Sequence, residues 1–259
     1  MARIFITGSS DGLGLLAAQR MVKDGHKVTL HARNQQRAKD AEAACPGAAG
    51  VLVGDLSSMA QTKKLAEDAN KDGAFDCVIH NAGLLHGGYR KTDEGLPSLV
   101  AVNVMAPYIL ACLMQRPKRL VFLSSDSHLG ADGSVDDLTW QERGEKGWND
   151  WRAYGDSKLF NNFLANAFAR RWPDVACNSF HPGWMPTKMG GQSAPGDVKD
   201  SVETYVMLAE GEGKAKGTGQ YFVPARKEGT PNPVANDEEA QEKFMKVCEE
   251  VTGVSPPEK

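Results

Sequence analysis

The sequence predicts an α/β fold in which a doubly wound parallel sheet carries helices on both faces. Three observations point to it. Short runs rich in Val, Ile, Leu and Phe alternate with longer amphipathic stretches from the first residues onward, as strands buried on both faces and joined by crossover helices should. A glycine-rich turn joins the first apolar run to the first helical stretch. The 259 residues contain no internal repeat and no long linker, and that length suits one large domain.

About seven strands are expected, over residues 4–7, 28–32, 50–54, 77–80, 120–124, 175–180 and 220–223, with helical patterns between them. The first strand enters Thr7-Gly8-Ser9-Ser10-Asp11-Gly12-Leu13-Gly14, and Leu13, Leu16, Ala17 and Met21 then share one helix face. Glycines let the backbone turn sharply and approach a pyrophosphate, and the helix N-terminus offers N–H groups and a positive dipole end. The alternative is an ordinary glycine-rich turn. The second strand ends in His31-Ala32-Arg33-Asn34. An acidic residue at position 32 would hold a ribose hydroxyl, whereas Arg33 can pair with a 2′-phosphate. The pair therefore points to NADP rather than NAD, against the alternative of a solvated surface arginine.

The third strand ends in Gly54-Asp55-Leu56, where a carboxylate also suits a helix N-terminus. The fourth ends in His80-Asn81-Ala82-Gly83, and neither His80 nor His86 has a partner at metal-ligand spacing; both read as structural or surface histidines. Asn103 interrupts an apolar stretch over 99–114 and could bridge backbone groups there. The fifth strand ends in Ser124-Ser125, a place where a hydroxyl could hydrogen-bond a substrate carbonyl. Tyr154 and Lys158 lie four apart at the start of a long amphipathic helix, hence on one face. A nearby ammonium is expected to lower the tyrosine pKa toward a working range. His181-Pro182-Gly183-Trp184-Met185-Pro186-Thr187 follows the sixth strand and, taken alone, is a proline-glycine turn.

Two polar or glycine-rich segments break the rhythm. Residues 126–152 read as an insertion and 184–219 as a substrate lid, both inside a single domain over 1–252. Residues 253–259, with Pro256 and Pro257, read as a flexible tail. Trp140, Trp148, Trp151, Trp184 and Met189 suggest an apolar pocket, or else packing of the core or lid.

Composition excludes several classes. Lys+Arg (30) nearly balance Asp+Glu (33) for a net charge of −3, which argues against a nucleic-acid binder. The apolar stretch at 99–114 is short of a membrane span and carries Asn103 and Pro107. The N-terminus lacks a signal peptide's apolar region. Five cysteines with no Cys-x-x-Cys pair fit reduced thiols in the cytoplasm, without a zinc or other metal site.

Taken in order, Gly8-x-x-x-Gly12-x-Gly14, Asn81-Ala82-Gly83, Ser125, Tyr154-x-x-x-Lys158 and Pro182-Gly183-x-x-x-Thr187 resemble the short-chain dehydrogenase/reductase family over nearly the whole chain. Ser124-Ser125-x-Ser127-His128 and Gly219-Gln220-Tyr221-Phe222 look like its retinol-dehydrogenase-like or carbonyl-reductase-like subgroup. The resemblance implies a Rossmann-type fold and the catalytic set Asn103, Ser125, Tyr154 and Lys158, with Ser124 and Ser127 as alternatives to Ser125. It puts Gly8, Ser10, Asp11, Gly12, Leu13 and Gly14 at the cofactor phosphates, Arg33 and Asn34 at the ribose end, and Asp55 and Leu56 near the adenine. Asn81 would steady the sheet while Ala82 and Gly83 leave room for cofactor. Lys158 would hold the ribose and Asn103 a water on the proton path. Pro182, Gly183 and Thr187 would meet the nicotinamide end and the pyrophosphate. The segment between Ser125 and Tyr154 is longer than common members keep. Relatives often pair through the helices corresponding to 99–114 and 153–172, which implies a homodimer unless the insertion blocks it. The activity implied is that of an NADP(H)-dependent oxidoreductase interconverting a carbonyl and an alcohol on an apolar small molecule, with Tyr154 as acid/base. The alternative is an NADPH-binding regulator or sensor without turnover.

Overall fold

The computed structural model describes residues 1–258. Its sheet has the strand order β3-β2-β1-β4-β5-β6-β7-β8. The strands are β1 (Arg3–Ile6), β2 (Lys27–Ala32), β3 (Gly50–Val53), β4 (Cys77–His80), β5 (Arg119–Leu123), β6 (Ala176–Phe180), β7 (Tyr221–Val223) and β8 (Lys227–Glu228). The first seven pair in parallel and fall where the apolar runs predict them. The antiparallel β8 is unforeseen. Its turn places Ala225 and Arg226 at φ 62 and 60, a conformation that turn sequences usually assign to Gly or Asn. Tertiary bonds hold it there: Ala225 N–H donates to Asp200 O and Arg226 N–H to Thr204 Oγ1.

Helices α1 (Gly12–Lys23), α2 (Gln35–Ala44) and α3 (Met59–Asn70) follow the first three strands. After β4 a helical segment runs through α4 (Ser98–Val100), a π-turn (Ala101–Met105) and α5 (Ala106–Leu113). The remaining helices are α6 (Asp150–Arg171), α7 (Val198–Glu210) and α8 (Glu238–Thr252). Strand residues alternate between two buried faces: Phe5, Val78 and Phe122 join the core with α3, α5, α6 and α8, and Ile4, Ile6 and Ile79 join the core with α1 and α7. The chain reverses direction in the sheet at β1/β4, which is the ligand crevice of a doubly wound fold.

Helix α7 packs against α1, β4 and β5, so within 184–219 only the part before it is free to act as a lid. At the start of the segment read as a tail, Val254 is buried and its carbonyl accepts from Tyr108 Oη at 2.7 Å. The helices expected to pair two subunits are covered within the chain. Insertion residues Leu138 and Trp140 share a cavity wall with Val100, Val104, Ala153 and Phe160. On α8, Phe244 stacks on Phe160 with ring centroids 4.9 Å apart. In α5, Tyr108, Ile109 and Leu110 are fully buried. Much of the apolar surface of these helices is therefore packed within the chain.

Candidate active site

The glycine turn is built by close approach. Gly8 has φ +63, and a Cβ there would lie 2.8 Å from Ala82 Cα. A Cβ on Gly14 would lie 2.4 Å from Asn81 Nδ2 and 2.8 Å from Gly8 O. Asn81 explains this packing: its amide donates to Thr7 O and Gly8 O, and its Oδ1 accepts from Tyr205 Oη at 2.7 Å. Thr7 Oγ1 accepts from Asn81 N–H and Ala82 N–H. Asp11 caps α1 by accepting from Gly12 N–H, and Leu13 anchors the helix in the core. Gly14→Ala is expected to weaken dinucleotide binding at this turn about tenfold or more, since overpacking of this kind costs about 1–3 kcal/mol. A tryptophan-fluorescence titration measures it, and unchanged affinity would contradict the close-approach account.

His31 is a brace that the sequence does not reveal. Its Nδ1 accepts from Gly8 N–H at 2.9 Å, and its Nε2 donates to Gly54 O at 2.9 Å. It thereby locks the ends of β1, β2 and β3 together, and burial lowers its pKa. Arg33 is exposed and, among the described residues, has no carboxylate partner, while Ala32 is buried. Asn34 serves α2 as a cap, accepting from Arg37 N–H. Arg37 and Lys188 are two cations the motif did not flag. Arg37 Nη2 lies 3.2 Å from Asp11 Oδ2 and 3.5 Å from Ser10 Oγ, and the Lys188 ammonium meets the same carboxylate. Lys188 first, then Gly12 N–H and Arg37, hold Asp11 below its ordinary pKa against desolvation. The only readable sign of Arg37 is its place one helical turn beyond Arg33. Asp55 accepts from Ser57 N–H and Oγ and so opens the turn into α3, as the alternative reading held, and Leu56 is buried.

On the other side of β1, Ser124 and Ser125 part in role. Ser124 is buried and donates to Lys158 O at 2.8 Å, which ties β5 to α6. Ser125 Oγ lies 3.1 Å from Asp126 Oδ1 and 3.3 Å from Ser127 Oγ, and it is close enough to the Tyr154 phenol to favour its ionised form. Asn149 accepts from Arg152 N–H, which caps α6 and sets Tyr154 and Lys158 on its inner face. Lys158 Nζ lies 5.4 Å from the Tyr154 ring centroid and donates to Leu123 O at 2.9 Å. Burial pulls the Lys158 ammonium down to about 8. The expected lowering of Tyr154 is reversed: burial pushes its phenol up to about 12, and Asp126 adds to the rise against the Ser125 hydrogen bond. Desolvation wins because the ammonium sits over the ring and is engaged with a backbone carbonyl.

Asn103 is fully buried in the π-turn, a local widening that often marks functional positions. Its Oδ1 accepts from Leu84 N–H at 2.7 Å, and its Nδ2 donates to Leu84 O and Ser157 Oγ. It therefore braces the segment holding Gly83, where an added Cβ would lie 3.3 Å from Lys158 Nζ. Thr187 reaches the glycine turn: a Cβ on Gly12 would lie 3.9 Å from its Cγ2, and Gly190 N–H bonds its Oγ1. Gly183, at φ +90, carries the chain from Pro182 back toward Met185. His80 is buried with both ring nitrogens unpartnered and stacks on Phe122. His86 is exposed, edge-on to Trp151. No metal-binding cluster occurs among the described residues, and no helix is long and apolar enough to cross a membrane.

Glycine turn, polar strand ends and a Tyr-Lys helix all open at the carboxyl edge of one doubly wound sheet, and together they define a Rossmann-type α/β protein. A family model described as short chain dehydrogenase matches residues 2–127. The short-chain dehydrogenase chyC of Penicillium rubens is 52% identical over 257 residues, covering 99% of this chain and 100% of that protein. Human retinol dehydrogenase 14 is 27% identical over 294 residues, with 97% of this chain and 86% of that protein covered. A solved structure of a blue fluorescent protein from a metagenomic library, in complex with NADPH, shares the fold with TM-score 0.68 at 20% identity, over 85% of this chain and 95% of that one. The chain belongs to the short-chain dehydrogenase/reductase family of oxidoreductases and is similar to its retinol-dehydrogenase-like members.

Proposed function

We propose that this chain is an NADP(H)-dependent oxidoreductase interconverting a carbonyl and an alcohol on an apolar small molecule. The observation that carries the reading is the grouping of Ser125, Tyr154 and Lys158 beside the glycine turn. The residues fit the cofactor: Gly8 and Gly14 lie so close to Ala82 and Asn81 that no side chain fits there, which holds the turn in its tight, side-chain-free form, and exposed Arg33 stands beside the buried, uncharged Ala32. Arg33 with Arg37 would hold a 2′-phosphate, Lys158 a ribose, and Thr187 with Pro182 and Gly183 the nicotinamide end. Such a cofactor supplies the hydride. Tyr154 delivers the proton to the carbonyl oxygen from its hydroxyl, which stays protonated at neutral pH with a pKa pushed up to about 12. Ser125 polarises that oxygen through its own hydroxyl. Lys158, brought down to about 8 by burial, sits behind the tyrosine ring, and Asn103 keeps Gly83 and Ser157 in place around it. Exposed Trp184 and Met189 give the lid an apolar lining.

A panel of aldehydes, ketones and quinones tests the reading by loss of NADPH absorbance. NADPH binding with no turnover across the panel overturns it in favour of a sensor. Arg33→Glu is expected to raise the NADPH KM at least about tenfold and leave NADH unaffected, because a bidentate charged pair contributes about 1.5–3 kcal/mol. An equal effect on both cofactors would contradict NADP preference. With its pairing helices covered, the protein is expected to be a monomer, and light scattering should return a mass near 28.0 kDa; twice that value contradicts it.

A further inference from the structure

We propose that Asp126, held in place by His181, selects carbonyl substrates that carry a hydrogen-bond donor (hydroxyl, amine or amide N–H) on the atom next to the reacting carbonyl. The inference rests on the oxidoreductase reading above.

Two sets of contacts carry it. Asp126 Oδ1 lies 3.1 Å from Ser125 Oγ, one hydrogen bond from the hydroxyl that serves the carbonyl oxygen. Its charge also reaches the Tyr154 phenol and raises its pKa. The carboxylate thus borders the reacting centre, although its side chain remains 66% exposed. The second set fixes its backbone. Asp126 N–H donates to His181 Nδ1 at 3.2 Å, and Gly183 N–H donates to the same nitrogen at 3.4 Å. An Nδ1 that accepts leaves the imidazole proton on Nε2, which lies 3.9 Å from Asp126 Oδ2. The turns after β5 and β6 are therefore pinned to one ring, and the carboxylate is held without a lysine or arginine partner among the described residues.

The hydrogen of Ser125 has Asp126 at 3.1 Å as its nearer acceptor, with Ser127 Oγ at 3.3 Å, and an incoming carbonyl oxygen competes with both. When the carbonyl takes it, Asp126 loses a bond. A donor on the neighbouring atom of the substrate restores that bond, and a plain ketone does not. A 2-keto acid brings a second negative charge to the same place and is disfavoured. Asp126 also lies in the first turn of a short 3-10 helix, Asp126–Gly130, where an acidic residue helps stability. That role moves the thermal midpoint and leaves the ranking of substrates unchanged.

The test compares 2-hydroxyacetophenone, 2-methoxyacetophenone, acetophenone and phenylglyoxylate with wild type, Asp126→Ala, Asp126→Asn and His181→Leu. In wild type, kcat/KM for the hydroxy ketone should exceed that for its methyl ether by about tenfold to a hundredfold, the range for a hydrogen bond to a charged group. Asp126→Ala should bring this ratio close to one, Asp126→Asn should leave it between the two, and His181→Leu should reduce it. Because each ratio is taken within one variant, a general loss of activity does not imitate the effect. A wild-type ratio near one, or an unchanged ratio in Asp126→Ala, overturns the proposal while turnover of acetophenone upholds the oxidoreductase reading. Absence of turnover with all four compounds and with the aldehydes and quinones above overturns both.

Discussion

Tyr154→Phe is expected to lower turnover by about a thousandfold, within the 10²–10⁴ range of a positioned acid or base, while NADPH still binds. In the proposed reaction the hydroxyl is the group that serves the carbonyl oxygen, and phenylalanine keeps the ring that packs beneath Lys158 Nζ. The cofactor cradle of Gly8, Gly14 and Asn81 does not touch that hydroxyl. The pH dependence has a definite sign. Burial pushes Tyr154 up to about 12, so its protonated form, the one reduction needs, persists across neutral pH. Alcohol oxidation needs the deprotonated form and should quicken as pH rises toward that value. NADPH oxidation measures the turnover and fluorescence quenching the binding. Near-normal turnover in the variant, or oxidation that slows with rising pH below 10, contradicts Tyr154 as acid/base.

The parts legible in the sequence are those fixed by local pattern. Seven buried strands announce themselves by β-branched runs, and Gly8, Gly12 and Gly14 by the turn they permit. Tyr154 and Lys158 share a face because four residues make about one helical turn. The contacts that make the site work are between residues distant in sequence and leave no local mark. His31 joins Gly8 to Gly54, Tyr205 reaches Asn81, Lys188 meets Asp11, and His181 pins Asp126. The Tyr154 pKa departs from the sequence expectation for a related reason: the sequence shows that a lysine is near, but the depth of burial that outweighs it belongs to the folded chain. The packing of Trp140 beside Val104 and α6, and of Phe244 on α6, is equally hidden, since an aromatic residue does not reveal which distant element it packs on.

Acidification from pH 7 to pH 5 is expected to destabilise the fold, and His80 alone to account for about 2 kcal/mol of the loss. Burial drives the His80 imidazole down from 6.5 to about 3, so the folded protein keeps it neutral while the unfolded chain takes up a proton below 6.5. Above that value both states hold it neutral and it adds no pH dependence; below it, stability is lost progressively as pH falls toward 3. His31, His128 and His181 are shifted in the same direction, each chiefly by burial. His128 shows why protonation is resisted: its Nδ1 donates to Ser125 O and its Nε2 accepts from Asn232 N–H, so a second proton would break the bond to Asn232. Asp156, raised by burial, acts in the opposite sense. Salt-bridged carboxylates such as Asp76 are held low, so their loss begins only at more acidic pH. His80 differs from the other three histidines because both of its nitrogens lack partners, and an unsatisfied buried polar group costs about 1–3 kcal/mol. His80→Leu removes both penalties. It should raise the thermal midpoint at pH 7 and shrink the fall between pH 7 and pH 5 by about 5 °C. Calorimetry at the two pH values decides it: a variant that loses as many degrees as wild type shows that His80 does not carry the acid sensitivity.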